Sequence, residues 1–135
     1  MFKLPPTAKR VALHTPAHAN QAIATATAAR LEALENADLG SLLSRLEALD
    51  REWDTERVLE ANASALILAG LALGKAVNRK WLLLSMGVSA FLLQHALQGW
   101  CPPLPLIRTL GVRTAQEIED ERAKVLAILD KRAAL

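Results

Sequence analysis

Few residues in this chain carry chemistry, and the sharpest is a thiol. Cys101 is the single cysteine among 135 residues, standing in the run Gln98-Gly99-Trp100-Cys101-Pro102-Pro103. One cysteine excludes an internal disulfide framework and any CxxC metal site. It could accept sulfur as a persulfide, sense redox state, or pair with a second chain. A reactive thiol needs a nearby cation or a helix N-terminus. Cys101 follows a helix C-terminus, whose partial negative charge disfavours a thiolate. Arg108 compensates only if the proline segment folds back. The plainer reading is a structural cysteine at an interface.

His95, with Gln94 beside it, is the next candidate. Both lie in a strongly apolar run, and polar groups inside a membrane face protein or a cavity. His95 could be a heme or metal ligand or a proton relay. The plainer reading is an interhelical hydrogen bond to Asn62 or Ser64. His14 and His18 are four apart, but Pro16 intervenes, and residues 1–30 hold no acid or cysteine to complete a metal site. Asp50, Glu52, Asp54, Glu56 and Glu60 scatter over several helix faces among Arg51 and Arg57, as on a solvated, salt-bridged helix. No metal and no cofactor is expected.

The elements that must position these groups follow from composition and charge. Hydrophobic residues make up 52% but aromatics only 4%, with no Tyr, so the apolar content is mostly the helix formers Ala and Leu. The formal net charge of +2 does not argue for nucleic acid. Its distribution says more. Residues 1–30 hold four bases and no acid, and residues 31–60 hold nine acids against three arginines. Residues 61–100 hold only Lys75, Arg79 and Lys80. Around that basic trio lie two apolar runs, 61–74 and 81–97. Each, extended at its ends, reaches the ~20 residues of a membrane span. Trp81 and Trp100 would sit roughly 28 Å apart on one helix, one in each interfacial belt. Trp53 and Arg57 anchor the near surface. Gly70 and Gly74 form a GxxxG motif, and Ser85 and Ser89 a second small-residue pair; either lets helices approach closely, within the hairpin or between chains.

The expected architecture is all-α: a two-span transmembrane helical hairpin at 58–100 with flanking cytoplasmic helices. Residues 1–15 form a basic arm, read as a solvated tail. Residues 16–57 form a helical hairpin at the membrane surface, with Thr15 as N-cap and Pro16 first in the helix. Its second helix starts near Asp38 or Ser41, and it carries the stripe Leu42, Leu46, Leu49 and Trp53. No Gly or Pro stops it running unbroken into the first span. After the spans, the prolines at 102, 103 and 105 impose extended backbone. Thr114-Ala115-Gln116-Glu117 is a capping box. It opens a last helix with Ile118, Val125 and Leu129 on its apolar face and an Asp120–Lys124 pair. The start MFKLPPTAKR has no apolar signal core, so both termini are expected in the cytoplasm. Arg45, Arg51, Arg57, Arg108 and Arg113 support that side against the basic trio.

The stretches REWDTERVLEANAS, FLLQHALQGWCPPLPLIRTLGVRT and EIEDER resemble the YgaP-like two-helix inner-membrane domain of bacteria. Arg57 ahead of the first span, Gly70 and Gly74 within it, and Gly99, Trp100, Cys101 and Pro102 closing the second match the family's marks. The resemblance covers roughly residues 51–122. It implies a bacterial inner-membrane address and no reaction. There is no rhodanese loop, so sulfurtransferase activity does not carry over, and the tail from Ala123 diverges from the family pattern. The expected role is a small membrane protein without enzymatic activity, an accessory, anchoring or assembly subunit. Its partners would be membrane lipid and either further copies of itself or a larger membrane complex. The alternative is a membrane thiol protein, a sulfur carrier or redox sensor, working through Cys101.

Overall fold

A computed structural model describes residues 3–135, and over these the chain is all-α. Seven α-helices follow in order: α1 Arg10–Leu13, α2 Ala17–Glu35, α3 Leu39–Arg51, α4 Thr55–Ala76, α5 Leu82–Gln98, α6 Leu104–Thr109 and α7 Ala115–Ala133. A 3-10 turn, Arg79–Trp81, precedes α5.

Helices α4 and α5 lie side by side, joined by the basic turn. The small residues set their separation. A Cβ on Gly70 would collide with the Ser85 hydroxyl, and one on Gly74 would lie 2.6 Å from Leu82 Cδ2. Ser85 donates across the pair to the carbonyl of Ile67 at 2.9 Å, and Ser89 donates to Ser85 O at 2.8 Å along its own helix. The GxxxG surface is thus spent inside the chain. Outward, the same helices present Leu66, Leu68, Leu71, Leu83, Met86, Phe91, Leu93 and Leu97, all exposed. Two stretches, Leu39–Ala76 and Arg79–Gln98, hold windows long and apolar enough to cross a membrane, with only 17% and 11% of those windows buried.

The remaining helices gather at the end of the pair away from the basic turn. Here the structure departs from several expectations. Helices α3 and α4 are separate: the chain breaks at 52–54, and the Asp54 carboxylate caps α4 by accepting from Arg57 N at 2.8 Å. A capping acid restarts a helix as effectively as a glycine stops one. Leu42 and Leu49 are buried as the stripe requires, but Trp53 lies in the break, half-exposed beneath the Arg57 guanidinium at 4.5 Å. Helices α2 and α3 do not pair as a hairpin; both pack on α7. The prolines do not keep the chain extended: Pro105 falls in the first turn of α6, where its missing N–H costs nothing. Pro16, not Thr15, stands at the cap of α2; the Thr15 hydroxyl donates to Val11 O at 2.8 Å instead. Asp120 accepts from Gln116 rather than pairing with Lys124. Asp38 caps α3, and the Thr114–Glu117 capping box opens α7 as read.

The N-terminal arm is docked, not solvated, over the part of 1–15 that is described; residues 1 and 2 lie outside it. Val11 joins Leu59, Cys101, Leu104 and Ile107 in the main apolar cluster, with Val58, Trp100 and Val112 packed around it. Gly99 makes this possible. It closes α5 at φ +82°, and a Cβ there would lie 2.6 Å from the Arg10 carbonyl. Replacing it adds left-handed strain of about 1–3 kcal/mol to that collision. In G99A the arm should lift, and trypsin should cut after Lys9 or Arg10 faster than in the parent, read by mass spectrometry.

Candidate functional site

Two polar clusters sit where the apolar pair meets the helical cap. The first binds the cap together. Glu121 on α7 is fully buried and receives three arginines: Arg45 through Nε at 2.8 Å, Arg30 at 3.3 Å, and Arg113. Arg113 also grips both oxygens of Glu52, at 2.7 and 2.6 Å, in the break between α3 and α4. Its own carbonyl accepts from Thr55 N at 2.8 Å, which fixes the start of α4. Arg108, with no exposed surface, uses all five N–H donors: two on Glu117, and one each on Asn20, Thr15 and the Val112 carbonyl. Such saturation is what a buried guanidinium requires. Arg132 adds a cap, donating to the carbonyls of Leu34, Glu35 and Ala37 at the end of α2.

Burial pushes the Glu121 carboxyl up, but the hydrogen bonds from Arg45, Arg30 and Arg113 outweigh it and hold it at about 2. Burial likewise pushes the Glu117 carboxyl up, but the hydrogen bonds from Arg108 and the Thr114 backbone outweigh it; its pKa falls below the usual carboxylate range.

The second cluster contains the chemistry-bearing residues. His95 is buried at the cap end of α5. Its Nε2 donates to Glu56 Oε2 at 3.0 Å, and Glu56 Oε1 accepts from Arg10 at 2.9 Å. The Cys101 side chain stands beside the same ring. Nδ1 of His95 is buried with no hydrogen-bond partner among the described residues. Helix α5, closed by Gly99, delivers both His95 and Cys101; the capped start of α4 delivers Glu56; α1 delivers Arg10. The proposed hydrogen bond from His95 to Asn62 or Ser64 is therefore corrected: the partner is Glu56, and Asn62 turns back to Val58 O at 2.7 Å. Gln94 is not part of this cluster. Among the described residues no group of three or more metal-ligating side chains forms, and His14 Nδ1 lies 2.8 Å from Arg10 O.

Cys101 also forms one wall of a cavity of about 560 Å3 between α4, α5 and α6. Its other walls are almost wholly apolar, with Leu59, Ala63, Leu66, Phe91 and Leu92 prominent. Sequence reasoning named Cys101 and His95 but missed Glu56, Arg10 and the cavity. The signal for Glu56 was present: it lies one turn before Leu59, on the face that α5 covers. Nothing local marks Arg10, which arrives by tertiary docking.

Comparison of the chain with known protein families, with characterised proteins and with solved structures finds no match.

The Glu121 cluster makes a sharp expectation. A lowered carboxyl pKa supplies stability that is present above the unfolded value of about 4.3 and disappears as pH falls towards the folded value near 2. Cap stability should hold from neutral pH to about 5, then fall between roughly 4.5 and 2. In E121Q that fall should be markedly shallower. E121A should cost about 3–5 kcal/mol at neutral pH, because it removes the buried carboxylate that Arg30, Arg45 and Arg113 share and leaves Glu52 alone to balance Arg113. Thermal melts followed by circular dichroism across pH would read both.

Proposed function

We propose that the chain is a small integral membrane protein of the bacterial inner membrane, a two-span transmembrane hairpin with flanking cytoplasmic helices. In this reading it is an accessory, anchoring or assembly subunit. The observation that carries it is the outward face of α4 and α5. Outside the basic turn, the large exposed side chains of the two helices from Leu66 to Leu97 are apolar: Leu66, Leu68, Leu71, Leu83, Met86, Phe91, Leu93 and Leu97. Water would not tolerate so continuous an apolar surface on a protein of this size, whereas lipid would. The basic turn at one end and the arginine-rich cap at the other suit the two headgroup regions. Trp81 near the turn, Trp100 at the cap and Trp53 under Arg57 suit the interfaces. The cap holds both ends of the described chain on one side, and that side is assigned to the cytoplasm. The YgaP-like resemblance gives the same address.

With Gly70 and Gly74 used between α4 and α5, partners meet the protein elsewhere. The exposed leucines of the spans offer a surface for lipid, for further copies of the chain, or for a larger membrane complex.

A second reading has its own observation. In it the chain is a membrane thiol protein, a sulfur carrier or redox sensor using Cys101; what supports it is the buried position of Cys101 at the cap end of α5, near the His95 that Glu56 holds through Nε2 at 3.0 Å.

The membrane reading is tested with L68R. Leu68 is 66% exposed near the middle of α4. An arginine at the centre of a span costs about 2.5–3.5 kcal/mol of insertion; on a soluble surface the same change stays within about 0.5 kcal/mol. The variant should shift from the carbonate-resistant membrane pellet to the extractable fraction. Equal recovery of parent and variant in the soluble fraction would overturn the proposal. Purification of a tagged chain in mild detergent should bring down further copies or a constant set of membrane proteins. A lone monomer would remove the accessory role.

A further inference from the structure

We propose that an arginine-lined cavity in the cap binds a phosphate-bearing anion, either the headgroup of an anionic lipid or a free phosphate. The inference goes beyond the membrane reading and does not rest on it, because the site is built wholly from cap residues.

The cavity has a volume of about 340 Å3, within the ~300–1,000 Å3 of small-molecule sites. Four arginines line it: Arg30 from α2, Arg45 from α3, Arg108 from α6 and Arg113 from the segment before α7. Glu52 is the one carboxylate in the lining among the described residues, and Arg113 occupies both its oxygens. Ala22, Ala26 and Arg30 follow each other at intervals of four on one face of α2. The two alanines are small and exposed, and they leave the space beside Arg30 open.

Positive charge and N–H donors are both left over there. Arg108 is balanced by Glu117 and has every donor engaged. Arg30, Arg45 and Arg113 share only Glu52 and Glu121, three cations on two anions. All three donate to the same oxygen, Glu121 Oε2, Arg30 from 3.3 Å and Arg45 from 3.1 Å. Like charges gathered so closely repel one another, and a further anion offsets that repulsion. Nε of Arg30 is buried with no acceptor among the described residues, a cost that an oxyanion removes. The Nη1 groups of Arg30 and Arg45 also donate to nothing among those residues. The guanidinium fork matches the oxygens of a phosphate. Two neighbouring forks can hold separate oxygens of one tetrahedral group, which a flat carboxylate does not offer. The Arg30 and Arg45 side chains keep 38% and 21% of their surface exposed, so an anion reaches them from solvent.

A second observation bears on the source of the phosphate. Leu110 stands in the wall of this cavity and also in the wall of the apolar cavity between α4, α5 and α6. On α6, Arg108 lines the first and Ile107 the second. Hydrocarbon attached to a bound phosphate therefore has an apolar slot one side chain away.

The experiment is titration calorimetry on the full chain in neutral detergent micelles at fixed ionic strength. The probes are inorganic phosphate, dihexanoyl phosphatidic acid, and dihexanoylglycerol, which has the same chains without the phosphate. One phosphatidic acid per chain should bind, at least about tenfold more tightly than dihexanoylglycerol, and R30Q should weaken it by a similar factor, the scale of one charge-assisted hydrogen bond. Because R30Q also takes a partner from Glu121, A26E is the independent variant. Its new carboxylate lies one turn before Arg30, pairs with it and occupies the cavity. A26E should melt no lower than the parent and should lose binding. Phosphatidic acid binding more tightly than inorganic phosphate supports the site with a lipid headgroup as its ligand. Inorganic phosphate binding at least as tightly supports the site with a free phosphate. Dihexanoylglycerol binding as tightly as phosphatidic acid, affinities unchanged in R30Q and A26E, or no binding of either phosphate probe overturns the proposal. Binding of phosphate by a chain recovered in the soluble fraction would overturn the membrane reading and leave this site standing.

Discussion

The cap of this protein is organised by the cost of burying charge. Glu121, Arg108 and Arg113 lie out of reach of water, and an ion so placed must find opposite charge and hydrogen bonds or lose several kcal/mol. Satisfying three such groups dictates where everything else goes. Arg113 must reach Glu52, so the chain breaks between α3 and α4. Its carbonyl must receive Thr55, so α4 starts at a fixed point and angle. Arg108 must reach Thr15 and Asn20, so the junction of α1 and α2 is held over α6. The apolar cluster around Leu104 and Leu59 is small, and it is the polar lattice that gives the helices one arrangement.

The lattice also joins two regions with different solvent preferences. Helices α4 and α5 turn apolar surface outward along most of their length, and the cap turns charge outward. Thr55 and Glu56 sit at the seam. The first is tied into the arginine lattice, and the second is tied to Arg10 and His95. The chemistry-bearing residues thus occupy the boundary between two environments, where a polar relay can stand against a hydrocarbon-lined cavity.

Local rules read much of this correctly. Helix α2, the Asp38 cap, the Thr114 capping box and the two long apolar helices follow from periodicity and end signals within a few residues of each other. What local rules could not supply was partnership. The stripe on α3 announces that Leu42 and Leu49 are covered, yet it does not say that α7 covers them. The acids at 52 and 56 look like members of a solvated run until Arg113 and Arg10 arrive from far along the chain. Asp54 was visible as an acid and unrecognised as a cap, because no glycine or proline drew attention to the break. Cys101 and His95 were identifiable by residue type. Their adjacency depended on the left-handed turn at Gly99, which the sequence announced only as a glycine at a helix end.

The position of α7 bears on how the protein is made. It covers both α2 and α3, yet it follows the two long apolar helices in the chain. During synthesis the first two long helices emerge with their inner faces bare and stay so until the apolar pair and then α7 have followed, a delay of several seconds at about 5–20 residues per second. Over that interval Arg30 and Arg45 have no Glu121 carboxylate from α7 to meet. Because α7 follows α4 and α5 in the chain, the cap can close only after the apolar pair has been made.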